Sequence, residues 1–186
     1  TLRAGENLKL RDDHSDFPAL VLGNYLLGGG PDSHLWRRVR EREGLSYGVG
    51  SFLSASSFEE KGDFGFYAIY APQNRERVET ALREELGRAL SDGFTVQEVE
   101  TGRKDLLNGR KLARAQDGAL AGRLLSYLVL DRTLVWDMQF EKRIQSLTPT
   151  EVLDALRRHL DPNKLSFVKA GDFENAARRT NAAVRE

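Results

Sequence analysis

At 186 residues the chain is long enough to bury roughly two-thirds of the surface its unfolded form exposes, so it needs neither metal nor disulfide to fold. Its 28 basic and 28 acidic side chains cancel, which removes the electrostatic footprint of a nucleic-acid partner, and the absence of cysteine excludes disulfides and thiolate metal sites. No apolar run reaches the roughly 18 to 20 residues a membrane span requires, and the opening TLRAGENLKLRDD is too polar for a signal-peptide core. A composition 40% hydrophobic and 30% charged is globular, and one domain over residues 1–186 is the expectation. The chain opens on Thr1 rather than Met, so it is expected to be a fragment of a longer product. A cysteine-free chain suits a reducing cytosol and a periplasm alike, and a periplasmic location is the preferred expectation.

Glu6 to Leu10 reads as a short strand. HSDFPALVLGNYLL then reads as a helix with Ser15 or Asp16 as its cap and Pro18 in its first turn, where proline is tolerated. Its apolar residues cover nearly the whole circumference, which marks a buried helix. Gly28 to Gly30 and Pro31 stop it. Asp32 or Ser33 can cap a second helix in which Leu35 and Val39 share a face, with Arg37, Arg38, Glu41, Arg42 and Glu43 looking outward until Gly44 ends it.

The period then changes to two: Tyr47, Val49, Leu53 and Ala55 share one side of a strand, and Phe64, Phe66, Ala68 and Tyr70 share one side of the next. FEEKGD between them makes an antiparallel hairpin. Asn74 can cap a helix striped by Val78, Ala81, Leu82, Leu86, Ala89 and Leu90. Thr95 with Glu98, and Thr148 with Glu151, are capping boxes, stapled by Phe94 with Val99 and by Leu147 with Val152. Between the boxes, Asp117 can cap a helix carrying Leu120, Leu124, Leu125 and Leu128, and Trp136, Phe140 and Ile144 mark another. KLSFVKAGD is a last strand, followed by a polar tail that frays or forms one short helix. The sum is an α+β chain, with an antiparallel or mixed sheet packed against several helices.

Candidate chemistry is sparse. The histidines His14, His34 and His159 have no second histidine at helical spacing, so neither H-E-x-x-H nor H-x-x-E-H occurs and ordinary surface or partly buried roles are expected. No nucleophile elbow surrounds Ser46 or Ser51. The Gly28 to Gly30 run follows a helix and lacks a G-K-[ST] ending, which favours a turn for close backbone packing over a phosphate cradle. In RRVREREG the interleaved Glu41 and Glu43 favour a solvated helix face over a nucleic-acid patch.

The run LLGGGPDSHLWRRVREREGLSYGV resembles a segment in the second, non-catalytic domains of pitrilysin/insulinase-type zinc peptidases. The pattern there is an apolar helix, Gly-Gly, a few residues, Ser-x-Leu, then Leu/Val-Arg-x-x-x-Gly-Leu-x-Tyr. Leu27, Gly28, Gly29, Ser33, Leu35, Val39, Arg40, Gly44, Leu45 and Tyr47 meet it. The resemblance continues through DGFTVQEVE and into IQSLTPTEVLDALRRHLDPNKLSFVKAGDF, so it covers nearly the whole chain. His34 departs from it, since the family often has Arg there.

The resemblance implies an α+β domain like that of mitochondrial-processing-peptidase-type metallohydrolases, facing a related zinc-bearing domain as one half of a clam shell. Zinc is then expected in that partner, on the same chain or a paired subunit. No cofactor or catalytic residue is expected here, and the chain alone should be inactive. Arg40 and Tyr47, seven positions apart, match the Arg and Tyr with which such domains reach the bound peptide. An Arg ending a helix and a Tyr opening the next strand can converge, with Gly44 letting the chain turn between them. Both are donors suited to a peptide carbonyl or to the oxyanion formed on hydrolysis. On the bland reading, Arg40 pairs with a surface Glu and Tyr47 is a core-edge aromatic. Because the family includes members without the metal motif, a non-enzymatic peptide-binding or assembly protein of the same fold is the alternative function.

Overall fold

Strict alternation shapes the first strand: β1 (Leu2–Leu8) buries Leu2, Ala4, Glu6 and Leu8 and leaves Arg3 and Asn7 exposed. It begins four residues earlier than the apolar pattern suggests, because a carboxylate occupies one inward position. Glu6 is buried and accepts a hydrogen bond from the Asp161 backbone N–H at 3.2 Å. The computed structural model describes residues 1–174, and the expected fraying or short helix of the polar tail lies outside the described residues.

β1 is followed by α1 (Phe17–Asn24), which runs directly into a π-helical turn, Tyr25–Gly29, and a second π-helical segment spans Trp36–Arg42. Then come β2 (Ser46–Ala55), β3 (Gly62–Tyr70), α2 (Arg75–Ser91), α3 (Val96–Arg114), α4 (Asp117–Val129), α5 (Leu134–Ser146), α6 (Pro149–His159) and β4 (Ser166–Lys169). The four strands form one sheet in the order β2-β3-β1-β4, antiparallel throughout. One face carries Leu2, Ala4, Val49, Phe64, Phe66 and Ala68 into the core, where both π-helical segments pack on β2 and α2 packs on β3. The other face, with Tyr67, Ile69 and Val168 exposed, looks to solvent, as antiparallel sheets permit.

Both capping boxes form. Thr95 Oγ1 accepts from the Glu98 N–H at 3.2 Å while Glu98 accepts from the Thr95 N–H at 2.8 Å, and Thr148 and Glu151 repeat the arrangement at 3.2 and 2.9 Å. Phe94, Val99, Leu147 and Val152 are all buried beside them. Other expected caps go elsewhere. The Asp16 carboxylate engages Arg158 and His159 instead of the start of α1, and the Asn74 amide donates to the Leu45 carbonyl at 2.9 Å. Asp117 is the first residue of α4 rather than its cap, and Thr133 caps α5 through the Val135 N–H. The leucine stripe of α4 is also more open than a core stripe, with Leu124, Leu125 and Leu128 exposed. Among the described residues, no helix is long and apolar enough to cross a membrane.

Candidate functional site

Two backbone devices set the site. Gly44 has φ +59°, in the left-handed region that costs an L side chain roughly 1–2 kcal/mol, and its neighbour Leu45 returns a hydrogen bond to the Val39 carbonyl at 2.8 Å. The chain thus reverses directly from the π-helical segment into β2. At the start of β2 the register slips: Ser46 faces Tyr70 and Gly48 faces Ile69, so Tyr47 is the extra, unpaired residue of a β-bulge. Ser46 takes the inward place and donates its Oγ hydrogen to the Gly48 and Ile69 carbonyls at 2.8 and 2.7 Å.

This bulge corrects the expected strand facing. Tyr47 does not share the inward side with Val49; the extra residue shifts the alternation, and Tyr47 is 81% exposed. From Val49 onward the expected side holds, with Ser51, Leu53 and Ala55 facing Phe66, Phe64 and Gly62.

Arg40 is exposed at the end of the π-helical segment, and among the described residues its side chain makes no ion pair or hydrogen bond. Its guanidinium carbon lies 4.1 Å from the Trp36 ring centroid and 5.8 Å from that of Tyr47. The aromatic faces orient the guanidinium by cation–π attraction while leaving its N–H donors free. So the sequence-identified pair is brought together on one exposed surface, and neither side chain takes up the bland arrangement of ion pair and core-edge ring. Trp36 was not singled out from the sequence. Its signal was its spacing of four from Arg40, which places two helical side chains over one another.

Behind this surface the segment is anchored by charge. Arg38 turns inward, contrary to the outward facing expected from a solvated helix, because three carboxylates await it on two sides. It bonds Glu43 at 2.7 Å, Glu85 at 3.0 Å and also Glu84. Glu85 is buried within the apolar face of α2 and also accepts from Arg88 at 3.0 Å. A guanidinium so surrounded pins the Trp36–Arg42 segment to α2.

His34 adds a second tie. Its Nε2 bonds Glu98 at 2.7 Å, and its Nδ1 faces Glu85 at 3.7 Å, an ion-pair distance rather than a hydrogen bond. It therefore joins the capping box of α3 to the motif, a partly buried role of the kind expected. Glu85 raises the imidazole pKa above its ordinary 6.5, burial opposes this, and Glu98 adds to the rise. Burial pushes the carboxyls of Glu85 and Glu98 up, but the imidazole of His34 facing both, the Arg38 hydrogen bond to Glu85 and the Thr95 hydrogen bonds to Glu98 outweigh it and leave both below their ordinary 4.5.

The signs differ. A raised folded-state pKa contributes stability that is complete below 6.5 and is lost as the pH climbs through the folded value. The lowered carboxyls contribute stability that is complete above 4.5 and is lost on acidification. The stabilisation His34 gives over His34→Gln is accordingly expected to be larger at about pH 6 than at about pH 8.5. Thermal melts of both proteins at the two pH values measure it, and a pH-independent difference would show that His34 is not charged between these carboxylates.

Gly28 explains how close the first π-helical turn lies to the sheet. A Cβ there would sit 2.5 Å from the Ser51 backbone nitrogen and 2.6 Å from its Oγ. The glycine run is thus a close-packing device, as expected. The cavity beside it, about 160 Å³, is bounded by the π-helical turn and α3, and Ser33, buried with its Oγ unpaired among the described residues, lines it.

The family model described as the peptidase M16 inactive domain matches residues 4–106. An uncharacterized zinc protease of Streptomyces coelicolor is 34% identical over 139 residues, covering 72% of this chain and 29% of the relative. A non-peptidase homolog of Helicobacter pylori is 24% identical over 164 residues, covering 88% of this chain and 37% of the relative. A crystal structure of a peptidase M16 inactive domain from Pseudomonas fluorescens superposes with TM-score 0.77 at 25% identity, over 90% of this chain and 40% of that one. The chain thus spans about a third of the length of the two relatives. With the matched stretch running from β1 into α3 and containing the Arg40–Tyr47 segment, the chain belongs to the M16 peptidase inactive-domain family.

Proposed function

We propose that this chain is the peptide-contacting half of a zinc-dependent endopeptidase, closing a chamber against a zinc-bearing half on the same polypeptide or a paired subunit. The observation that carries the reading is the Arg40–Tyr47 pair: two exposed donors side by side, with the guanidinium 5.8 Å from the phenol ring and free of carboxylate partners among the described residues. Arg40 would donate to a peptide carbonyl, and Tyr47 to the same oxygen as charge develops on it. Such donors act in concert with a metal, because a positioned N–H or O–H stabilises an oxyanion without being consumed. The catalytic zinc does not belong to this domain. The α1 helix and its π-helical turn hold no imidazole, thiol or carboxylate from Phe17 to Gly29, so they cannot form an H-x-x-E-H site.

Mixing this chain with the half that carries H-x-x-E-H tests the reading: peptide cleavage is expected from the mixture and from neither half alone. Arg40→Lys keeps the charge but loses the planar fork, and about a tenfold or greater loss of kcat/KM is expected in the same assay. Unchanged cleavage would remove Arg40 from the peptide site. A second reading, a non-enzymatic peptide-binding or assembly protein, is favoured by one observation, the relative named a non-peptidase homolog, which aligns over 88% of this chain. Peptide binding without cleavage by the mixture would favour it.

A further inference from the structure

The fold assembles a cluster that no sequence spacing reveals. His14, in the loop before α1, and His159, the last residue of α6, lie 145 positions apart, yet their rings meet edge to face with centroids 5.0 Å apart. Asp16 completes the group. Its Oδ2 is 3.0 Å from His159 Nε2, and its backbone N–H donates to His14 Nδ1 at 3.1 Å. One ligating atom from each of the three residues lies within 4.8 Å of the other two.

We propose that His14, Asp16 and His159 form a binding site for a divalent transition-metal ion such as Zn²⁺. Two imidazoles and one carboxylate are the donor set that borderline-soft ions take, and three protein ligands leave a fourth position for water. A shift of the exposed His14 ring is enough to draw atoms spread over 4.8 Å onto one ion, since ligand distances near 2.0–2.2 Å are required.

Arg158 also limits the site. It bonds Asp16 Oδ1 at 2.8 Å and Oδ2 at 2.9 Å, so a cation must share Oδ2 with a guanidinium and bears its repulsion. Binding is therefore moderate, and the guanidinium on Oδ1 becomes the outer contact that orients the carboxylate. The consequence is mechanical. The ion staples the start of α1 to the end of α6, two helices that pack against each other in the core, and binding to the folded state alone raises thermal stability.

Tag-free chain is dialysed against Zn²⁺ and its metal content measured, with isothermal titration for affinity and thermal melts with and without zinc. One zinc per chain is expected, with a raised thermal midpoint. Affinity should fall at least about tenfold in His159→Ala and in His14→Gln, and remain unchanged in His34→Gln. His14 is exposed, so its substitution keeps the test valid should His159→Ala fold poorly, and circular dichroism without metal checks both. No retained zinc, or equal retention by the His14 and His159 variants, would overturn the site.

Discussion

On the proposed function, Tyr47→Phe in this chain assembled with a zinc-bearing half is expected to lower kcat by about a hundredfold or more while leaving the thermal midpoint of this chain nearly unchanged. The separation of the two effects follows from the bulge. Tyr47 is 81% exposed and its hydroxyl makes no hydrogen bond among the described residues, so removing that oxygen leaves no buried group there unsatisfied. The ring stays, and with it the contact to the Arg40 guanidinium. A donor that bonds the substrate oxygen only as negative charge develops lowers kcat when lost, with little effect on KM. Steady-state kinetics beside a thermal melt separate this from a structural role: reduced stability with normal turnover would place Tyr47 in the scaffold instead.

The largest stability effect is expected at Gly28. In Gly28→Ala the new methyl would meet the Ser51 backbone nitrogen at 2.5 Å and Leu35 Cδ1 at 2.7 Å. A leucine tip can rotate away; a strand backbone cannot. Alanine gains at most about 1 kcal/mol of helix propensity over glycine, against about 3 kcal/mol for an overpacked contact with backbone, so the clash wins. For a chain of this size a net loss of about 2 kcal/mol lowers the thermal midpoint by roughly 4–8 °C. The same displacement moves the π-helical turn away from β2, the strand that carries Tyr47, so peptide affinity should fall as well. A midpoint equal to that of the unsubstituted chain would show that the turn yields without cost.

What was legible in the sequence was whatever depended on neighbours along the chain. The capping boxes at Thr95 and Thr148 are closed within four residues, and the inward side of β3 follows from simple alternation of Phe64, Phe66, Ala68 and Tyr70. Arg40 and Tyr47 were legible through a motif of fixed spacing, and the fold sets them beside each other. The bulge at Tyr47 was not, because an added residue shows only against the partner strand that it fails to pair with. Arg38 was misread for a related reason: a charged residue on a helix looks solvated until the opposing element, here Glu85 of α2, supplies the counter-charge. The His14–Asp16–His159 group lies beyond any local pattern, since only the packing of α1 on α6 brings it together. Asp16 illustrates the competition directly: read as a helix cap, it instead bonds Arg158 and His159, partners more than 140 residues away.

The central claim is that Arg40 and Tyr47 hold the peptide. A structure of this chain assembled with the proposed zinc-bearing half, that half inactivated by replacing the glutamate of H-x-x-E-H, and bound to an uncleaved peptide tests it most directly. The account predicts a guanidinium nitrogen of Arg40 and the hydroxyl of Tyr47 within about 3.2 Å of peptide oxygen atoms at or beside the scissile bond. A peptide bound with both side chains turned to solvent, or lying against another face of this domain, would contradict it.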